Sequence, residues 1–227
     1  MIPSVKPVND VARRPYERLV KRGEAPAAVL AAARDLFVSK GYVATSIEDI
    51  ATAAGVARPT VFTAVGPKAT ILKLVVDHAM AGDSADVPVA QRRWWNEAID
   101  EPDPRRSLAL HARNLTAILG RVALLLREVE SAAAYDPAVD DLWQELQRQR
   151  HAAMTMFTSS LRTKTNLRIS AETAATTMWA LSPDSYLRLV RDAGWTPKRY
   201  ERWLFDTLRT LLLPPGPSRT CDDAVKF

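Results

Sequence analysis

The side chains best suited to chemistry lie on one short predicted helix: Arg58, Thr60 and Thr63. If residues 58–64 form a helix, these three point outward, while Val61 and Val65 share the opposite, apolar face. An arginine bonds bidentately to guanine, and threonine reaches base edges or phosphates. The pattern therefore indicates a helix that faces the major groove of duplex DNA.

The residues around this helix supply the other parts of a helix-turn-helix. That motif needs a small residue where its two helices cross, a turn residue free to take positive φ, and apolar inward contacts. Ala51 is the small crossing residue, and Gly55 is the turn residue, since glycine takes positive φ without steric cost. Val56 and Val61 supply the inward contacts. The segment from Ile47 to Val65 is thus predicted to be a helix-turn-helix.

Two further helix signals precede it. Apolar residues at helical spacing predict a first helix that Gly41 stops: Val29, Leu30, Ala33, Leu36 and Phe37. Tyr42 is then expected to pack back on the last turn. Thr45 and Glu48 have the spacing of a capping box, which predicts that the second helix begins at Thr45.

The chain from Lys68 onward has the pattern of long helices separated by Pro, Gly and Asp-Pro breaks. The predicted spans are 68–82, 88–99, 105–119, 120–134, 138–163, 171–192 and 197–212. Pro183 is expected to kink or split the penultimate span. Because strand-like alternation is absent, the fold class is predicted to be all-α.

Positive charge is concentrated at the N-terminus. The chain carries a formal net charge of +5, and residues 1–22 hold six basic side chains against two acidic ones. Such a basic arm suits a polyanionic partner. The alternative, a solvated tail without contacts, stays open, because charge runs are often no more than that.

Catalytic, metal and cofactor sites are not indicated. Cys221 is the single cysteine, so neither an intramolecular disulfide nor a cysteine metal cluster is expected. The three histidines, His78, His111 and His151, lack the short pairs typical of zinc sites. No Gly-rich phosphate loop or nucleophile elbow occurs. We therefore expect a non-enzyme that needs no cofactor.

A cytoplasmic location is expected. The N-terminus lacks an apolar signal core, and no stretch approaches the roughly 18 to 20 apolar residues of a membrane span. A lone cysteine also fits a reducing compartment.

The N-terminal segment resembles the DNA-binding domain of the TetR family. The resemblance covers about residues 25–73 and combines a capping box, an Ala-Gly turn and a lysine after the recognition helix. It is carried by Val29-Leu30, Ala33, Leu36-Phe37, Gly41-Tyr42, Thr45 to Ala51, Ala54-Gly55-Val56, Thr60-Val61-Phe62 and Lys68. It implies a helix-turn-helix domain over 25–70 and a larger helical effector-binding and dimerisation domain over 71–213. The flanking segments are predicted from their own residues: a basic, Pro-punctuated arm over 1–24 and a disordered tail over 214–227.

The same resemblance implies the DNA contacts residue by residue. Thr45, Ser46 and Lys68, at helix N-termini, would touch phosphates. The groove-facing surface would be formed by Arg58, Pro59, Thr60, Phe62 and Thr63. Phe62 departs from the family pattern, because the usual tyrosine there offers a hydroxyl to phosphate.

A homodimer is expected from the last two helical segments. Their apolar stripe needs a partner, and the resemblance implies a four-helix interface. The predicted interface residues are Tyr186, Leu187, Tyr200, Trp203, Leu204, Thr207, Leu208 and Leu211. Packing of this stripe within one subunit is the alternative.

An effector pocket is expected within residues 88–181. The resemblance implies a small-molecule site there, and ligand cavities are mainly apolar with a few polar groups. The predicted lining consists of bulky or polar side chains on or beside apolar stripes: Trp95, His111, Leu115, Glu130, Trp143, Gln147, His151 and Phe157. As alternatives, the tryptophans are core residues, His111 is an ordinary buried histidine and His151 faces solvent. The effector is expected to be largely apolar, or charged if Glu130 or Arg127 selects it.

These expectations converge on a DNA-binding transcriptional regulator, a repressor that a small molecule releases from a pseudo-palindromic operator. Two alternatives remain open at this point: a regulator of the same fold without an effector, and an all-helical enzyme.

Overall fold

The structure is a computed structural model that describes residues 25–82, 91–181 and 183–215. Over these ranges it consists of helices without strands, which confirms the all-α prediction. The elements are α1 (Ala25–Lys40), α2 (Ile47–Ala54), α3 (Arg58–Ala64), α4 (Lys68–Ala81), α5 (Arg93–Asp100), α6 (Pro104–Ala133), α7 (Pro137–Lys164), α8 (Ala171–Ala180), α9 (Asp184–Tyr186), a π-helical segment (Leu187–Asp192) and α10 (Pro197–Leu212). The predicted arm over 1–24 and most of the predicted tail lie outside the described residues.

Two predicted helix breaks have different outcomes. The break at Gly120 is wrong, because α6 runs through it without interruption. A glycine inside a helix costs only about 1 kcal/mol relative to alanine. Here the absence of a side chain leaves room for Tyr186. A Cβ at this position would lie 3.2 Å from the hydroxyl oxygen of Tyr186. The predicted split at Pro183 is confirmed, since α8 ends at Ala180 and a new helical segment begins at Asp184.

The chain divides into two compact units. Of the described residues, the first comprises 25–82 and 124–144, and the second comprises 91–123, 145–181 and 183–215. The predicted domain boundary after residue 70 stays a prediction. Helix α4 belongs to the first unit because it packs against α1 and buries Ile71, Leu72 and Val76 completely. The end of α6 and the start of α7 also belong there.

Each unit has its own apolar core. In the first, α1, α2 and α3 bury Phe37, Ile50 and Val61. In the second, one face of α10 is buried along its whole length, through Tyr200, Leu204, Leu208 and Leu212. Burying a side chain of this size contributes roughly 1.5 to 3 kcal/mol, so these faces hold the helices in place.

Helix α6 is long and apolar enough, by length and composition alone, to cross a membrane. The sequence was not expected to contain such a stretch. Core helices of soluble proteins satisfy the same criterion, and 44% of the apolar window in α6 is buried within the structure.

Candidate nucleic-acid interface

Helix α3 separates its residues into an apolar inner face and a chemically varied outer face. Val61, Ala64 and Val65 are buried, as the sequence predicted for the two valines. The exposed residues are Arg58, Pro59, Phe62 and Thr63, and Thr60 is half-buried. Pro59 lies in the first turn, where its missing N–H leaves no hydrogen bond unmade.

Side chains on the outer face of α3 contact one another and the backbone of the same helix. The guanidinium carbon of Arg58 lies 5.7 Å from the ring centroid of Phe62, one helical turn away. Phe62 is 45% exposed, so it presents a large apolar ring where a tyrosine would present a hydroxyl. The hydroxyl of Thr63 donates to the carbonyl of Pro59 at 3.2 Å. The face therefore offers one cation, one aromatic ring and one hydroxyl.

The turn before α3 has the predicted form. Gly55 has φ +67, the left-handed conformation that glycine adopts at no steric cost. The backbone N–H of Val56 donates to the carbonyl of Ala51 at 3.0 Å, which closes the end of α2. Ala51 is buried, as expected of the small residue at the helix crossing.

The capping box of α2 begins one residue later than predicted. Ser46 is the N-cap: its hydroxyl accepts from the N–H of Asp49 at 3.0 Å, and the Asp49 carboxylate accepts from the N–H of Ser46 at 2.8 Å. Lys40 bonds the same carboxylate at 2.7 Å. These hydrogen bonds, with that from Lys40 the strongest, lower the pKa of Asp49 to about 2.

Thr45 is a correction to the predicted phosphate contacts. Its side chain is only 1% exposed, and its hydroxyl donates to the carbonyl of Gly41 at 2.7 Å. That hydroxyl is engaged inside the fold and cannot reach a phosphate. Ser46 remains exposed at the start of α2.

Lys68 begins α4 and lies over an aromatic ring. Its ammonium nitrogen is 4.1 Å from the ring centroid of Tyr42. Tyr42 packs on Phe37 with ring centroids 5.5 Å apart, which confirms the predicted packing on the end of α1. The sequence did not predict its other partners, Glu128 and Asp136, which are 86 and 94 residues away.

The predicted effector residues are distributed over both units. His111 and Phe157 come together in the second unit, with ring centroids 4.2 Å apart. His111 is 4% exposed, and its Nε2 has no hydrogen-bond partner among the described residues. Burial lowers the pKa of His111 to about 4. Trp95 is also buried in this unit, and Leu115 is half-buried.

The remaining predicted pocket residues lie apart from that pair. Gln147 accepts a hydrogen bond from Arg150. The His151 ring lies 6.1 Å from that of Trp179, and its Nε2 lies 3.3 Å from the hydroxyl of Thr176. Glu130, which is exposed, and Trp143, which is half-buried, belong to the first unit.

The two best-formed clefts of the described residues are open to solvent. One, of about 630 Å³, runs along α8 and is lined by Glu172, Thr173, Thr176, Thr177, Ala180 and Leu181. The other, of about 250 Å³, is lined by Glu101, Arg106, Ala109, Leu110, Arg113 and Glu201. Neither includes a residue predicted to line the effector pocket, so that pocket stays a prediction.

The predicted interface residues are mostly buried within the subunit. This holds for Tyr186, Leu187, Tyr200, Leu204 and Leu208. Trp203 and Thr207 are half-buried, and Leu211 is 42% exposed. A partner subunit would therefore meet the edge of the α10 stripe that includes Leu211, and the interface stays a prediction.

Metal ligation finds no support in the part of the chain that the structure describes. Within it, no group of three or more His, Cys, Asp or Glu side chains is arranged to hold an ion.

Comparison with known proteins bears on the N-terminal domain and on the fold. Residues 29–79 match the family model described as bacterial regulatory proteins, tetR family. No curated protein sequence matches the chain.

Solved structures have the same fold at low sequence identity. The TetR-family regulator PfmR from Thermus thermophilus is 19% identical, with 79% of this chain and 96% of that chain covered at a TM-score of 0.62. A Mesorhizobium loti protein described as a TetR-family transcriptional regulator is 20% identical, with coverages of 87% and 99% at a TM-score of 0.62.

A third protein, described as a transcriptional regulator from Saccharomonospora viridis in complex with choline, is 18% identical, with coverages of 85% and 99% at a TM-score of 0.62. Residues 29–79 therefore match the tetR family of bacterial regulatory proteins, and the described residues have the all-helical fold of the TetR-family structures.

Proposed function

We propose that this protein is a sequence-specific transcriptional regulator that binds duplex DNA as a homodimer. The observation that carries the proposal is the outer face of α3, where Arg58, Phe62 and Thr63 are exposed on a helix whose other face is buried. Two such helices, one from each subunit, would read half-sites of a pseudo-palindrome about one helical turn apart.

Lys68 and Ser46 fit the phosphate backbone in this proposal. Both lie at the start of a helix, where free backbone N–H groups and the helix dipole favour an anion. Arg58 is the residue placed to read a base, because its guanidinium can bond O6 and N7 of guanine together. Phosphate contacts and base contacts should therefore respond differently to substitution.

Arg58→Ala and Lys68→Ala test these two roles on a selected operator duplex. Arg58→Ala is expected to cost about 1 to 3 kcal/mol and to relax preference at one base position in each half-site. Lys68→Ala is expected to weaken binding to all sequences alike and to lower the salt slope by about one per subunit. Fluorescence anisotropy across a salt series measures both effects.

Arg93→Ala is the matched control, because Arg93 is 92% exposed but lies in the second unit, on α5. It should bind like the wild type. If Arg58→Ala and Arg93→Ala behave alike at every salt concentration and on every base, α3 is not the reading helix.

We further propose that a small, largely apolar molecule binds the second unit and releases the protein from its operator. Two buried polar atoms support a ligand site in this unit. Nε2 of His111 and Nε1 of Trp179 have no hydrogen-bond partner among the described residues. Buried polar atoms of this kind are expected to bond a ligand or water. The Saccharomonospora viridis protein shows that a chain of this fold holds a small organic molecule.

The effector acts only through a difference in affinity between the DNA-bound and released forms. The test is a tryptophan-fluorescence titration with a compound library, followed by measurement of operator release. His111→Leu should lose ligand affinity while it keeps operator binding. Ligands that bind without changing operator affinity would contradict release by an effector.

A regulator of the same fold without an effector is the second candidate. The open clefts favour it, because neither includes a predicted pocket residue. It predicts that no compound shifts the fluorescence of the six tryptophans and operator affinity together.

A further inference from the structure

Tyr42 joins three separate stretches of the first unit. It follows Gly41 at the end of α1 and is 5% exposed. Its backbone N–H donates to Oε2 of Glu128 on α6 at 3.2 Å. Its hydroxyl donates to Oδ2 of Asp136, just before α7, at 2.8 Å. Burial first, and then this bond and the Asp136 charge, raise the pKa of the tyrosine, so the hydroxyl stays a proton donor.

The two oxygens of Asp136 are both engaged. Oδ1 accepts from the backbone N–H of Ala138 at 3.0 Å and thereby caps the start of α7. Oδ2 accepts from the Tyr42 hydroxyl. Without that hydroxyl, Oδ2 would lose its partner in a partly buried place, where an unpaired charge is costly.

Lys68 is a cation that lies over the same tyrosine ring and is influenced by the charge of Asp136. Its ammonium lies 4.1 Å from the ring centroid of Tyr42, a geometry in which a cation is attracted to the ring face. Burial lowers the pKa of Lys68, while the charges of Asp136 and Asp49 act in the opposite direction. The charge of Asp136 thus influences the pKa of Lys68. Among the described residues, however, the ammonium contacts the tyrosine ring and not a carboxylate.

We propose that Tyr42 is a positioning residue for DNA binding. Its ring holds the Lys68 ammonium at the start of α4, and its hydroxyl hydrogen-bonds the Asp136 carboxylate. Because that carboxylate already has a partner, it does not pair with Lys68 and draw it away from phosphate. The proposal rests on the proposed function in one respect, the contact of Lys68 with DNA.

Tyr42→Phe tests this on a selected operator duplex. The variant keeps the ring but removes the hydroxyl, so Asp136 is expected to pair with Lys68. The salt slope of binding should then fall by about one per subunit, as in Lys68→Ala. Adding Asp136→Asn should restore the slope, because asparagine keeps the cap of α7 and removes the charge. Tyr135→Phe, at a neighbouring tyrosine that is 80% exposed, is the matched control and should match the wild type.

A measurement on the free protein separates this proposal from DNA binding itself. The pKa of Lys68, followed by NMR with 15N-labelled lysine, should rise in Tyr42→Phe and return in the double variant, because pairing with a carboxylate favours the charged amine. A wild type that binds no duplex would overturn the proposed function, yet this pKa change would still support the role of Tyr42.

Two results would overturn the proposal about Tyr42. One is a Tyr42→Phe protein with the wild-type salt slope and the wild-type Lys68 pKa. The other is a Tyr42→Phe protein that binds the operator more weakly with an unchanged salt slope, and whose affinity Asp136→Asn does not restore. A partial loss of the fold alone would give that pattern. Circular dichroism at the working temperature verifies that each variant is folded.

Discussion

Leu208→Arg is expected to destabilise the fold strongly and is therefore a poor test of dimerisation. Leu208 is 1% exposed within its own subunit and lies between Leu204 and Leu212 on the buried face of α10. A guanidinium there has no room and would bury an unpaired charge, which should cost on the order of 4 kcal/mol. Urea unfolding followed by circular dichroism measures the loss.

Leu211→Arg, on the same helix, is the matched variant that tests dimerisation. Leu211 is 42% exposed, so a charge at this position stays solvated in the isolated subunit. The variant should keep the wild-type helical content by circular dichroism and give a monomeric mass by light scattering at micromolar concentration. A Leu211→Arg protein that stays dimeric would place the interface away from this edge of α10, and a wild-type monomer would remove the dimer altogether.

Acidification is expected to destabilise the protein through His111. Burial depresses the folded-state pKa of this imidazole to about 4, against about 6.5 in an unfolded chain. Above pH 6.5 the ring is neutral in both states and costs nothing. As the pH falls from 6.5 toward 4, only the unfolded chain gains the proton, so stability is lost. The loss is about 2 kcal/mol by pH 5 and roughly 3 kcal/mol by pH 4.

Urea unfolding at pH 7.5 and at pH 5 measures this loss, and His111→Leu should remove about 2 kcal/mol of the difference. His151→Leu, which changes a histidine outside the buried pair, should keep it, because His111 is still present. If His111→Leu and the wild type lose the same free energy between these pH values, His111 is not the group responsible.

Local features of the sequence predicted the turn and the inner face of α3 best. Gly55 and the apolar spacing of Val61 and Val65 define the turn and inner face of α3 through contacts a few residues apart. The capping box was harder, because Thr45 and Ser46 are both good N-cap residues. What decides between them is tertiary: the Thr45 hydroxyl is engaged by the carbonyl of Gly41.

Long-range contacts could not be read from one sequence. The Asp136-Pro137 pair marks a helix break, but nothing in it indicates a bond to Tyr42, 94 residues earlier. The stripe on α10 showed that one face is apolar without showing what covers it. Much of that face is covered within the subunit. Substitution of the exposed Leu211, and not of the buried Leu208, is therefore the informative test of dimerisation.

Selection from a random pool of duplexes, carried out with the full chain at low salt, tests the central claim of DNA recognition most directly. The account predicts enrichment of a pseudo-palindrome whose half-sites lie about one helical turn apart, with binding that weakens steeply as salt rises. It also predicts that Arg58→Ala loses preference at one position of each half-site. A folded protein that retains no duplex, or that retains all duplexes without enrichment, would contradict it.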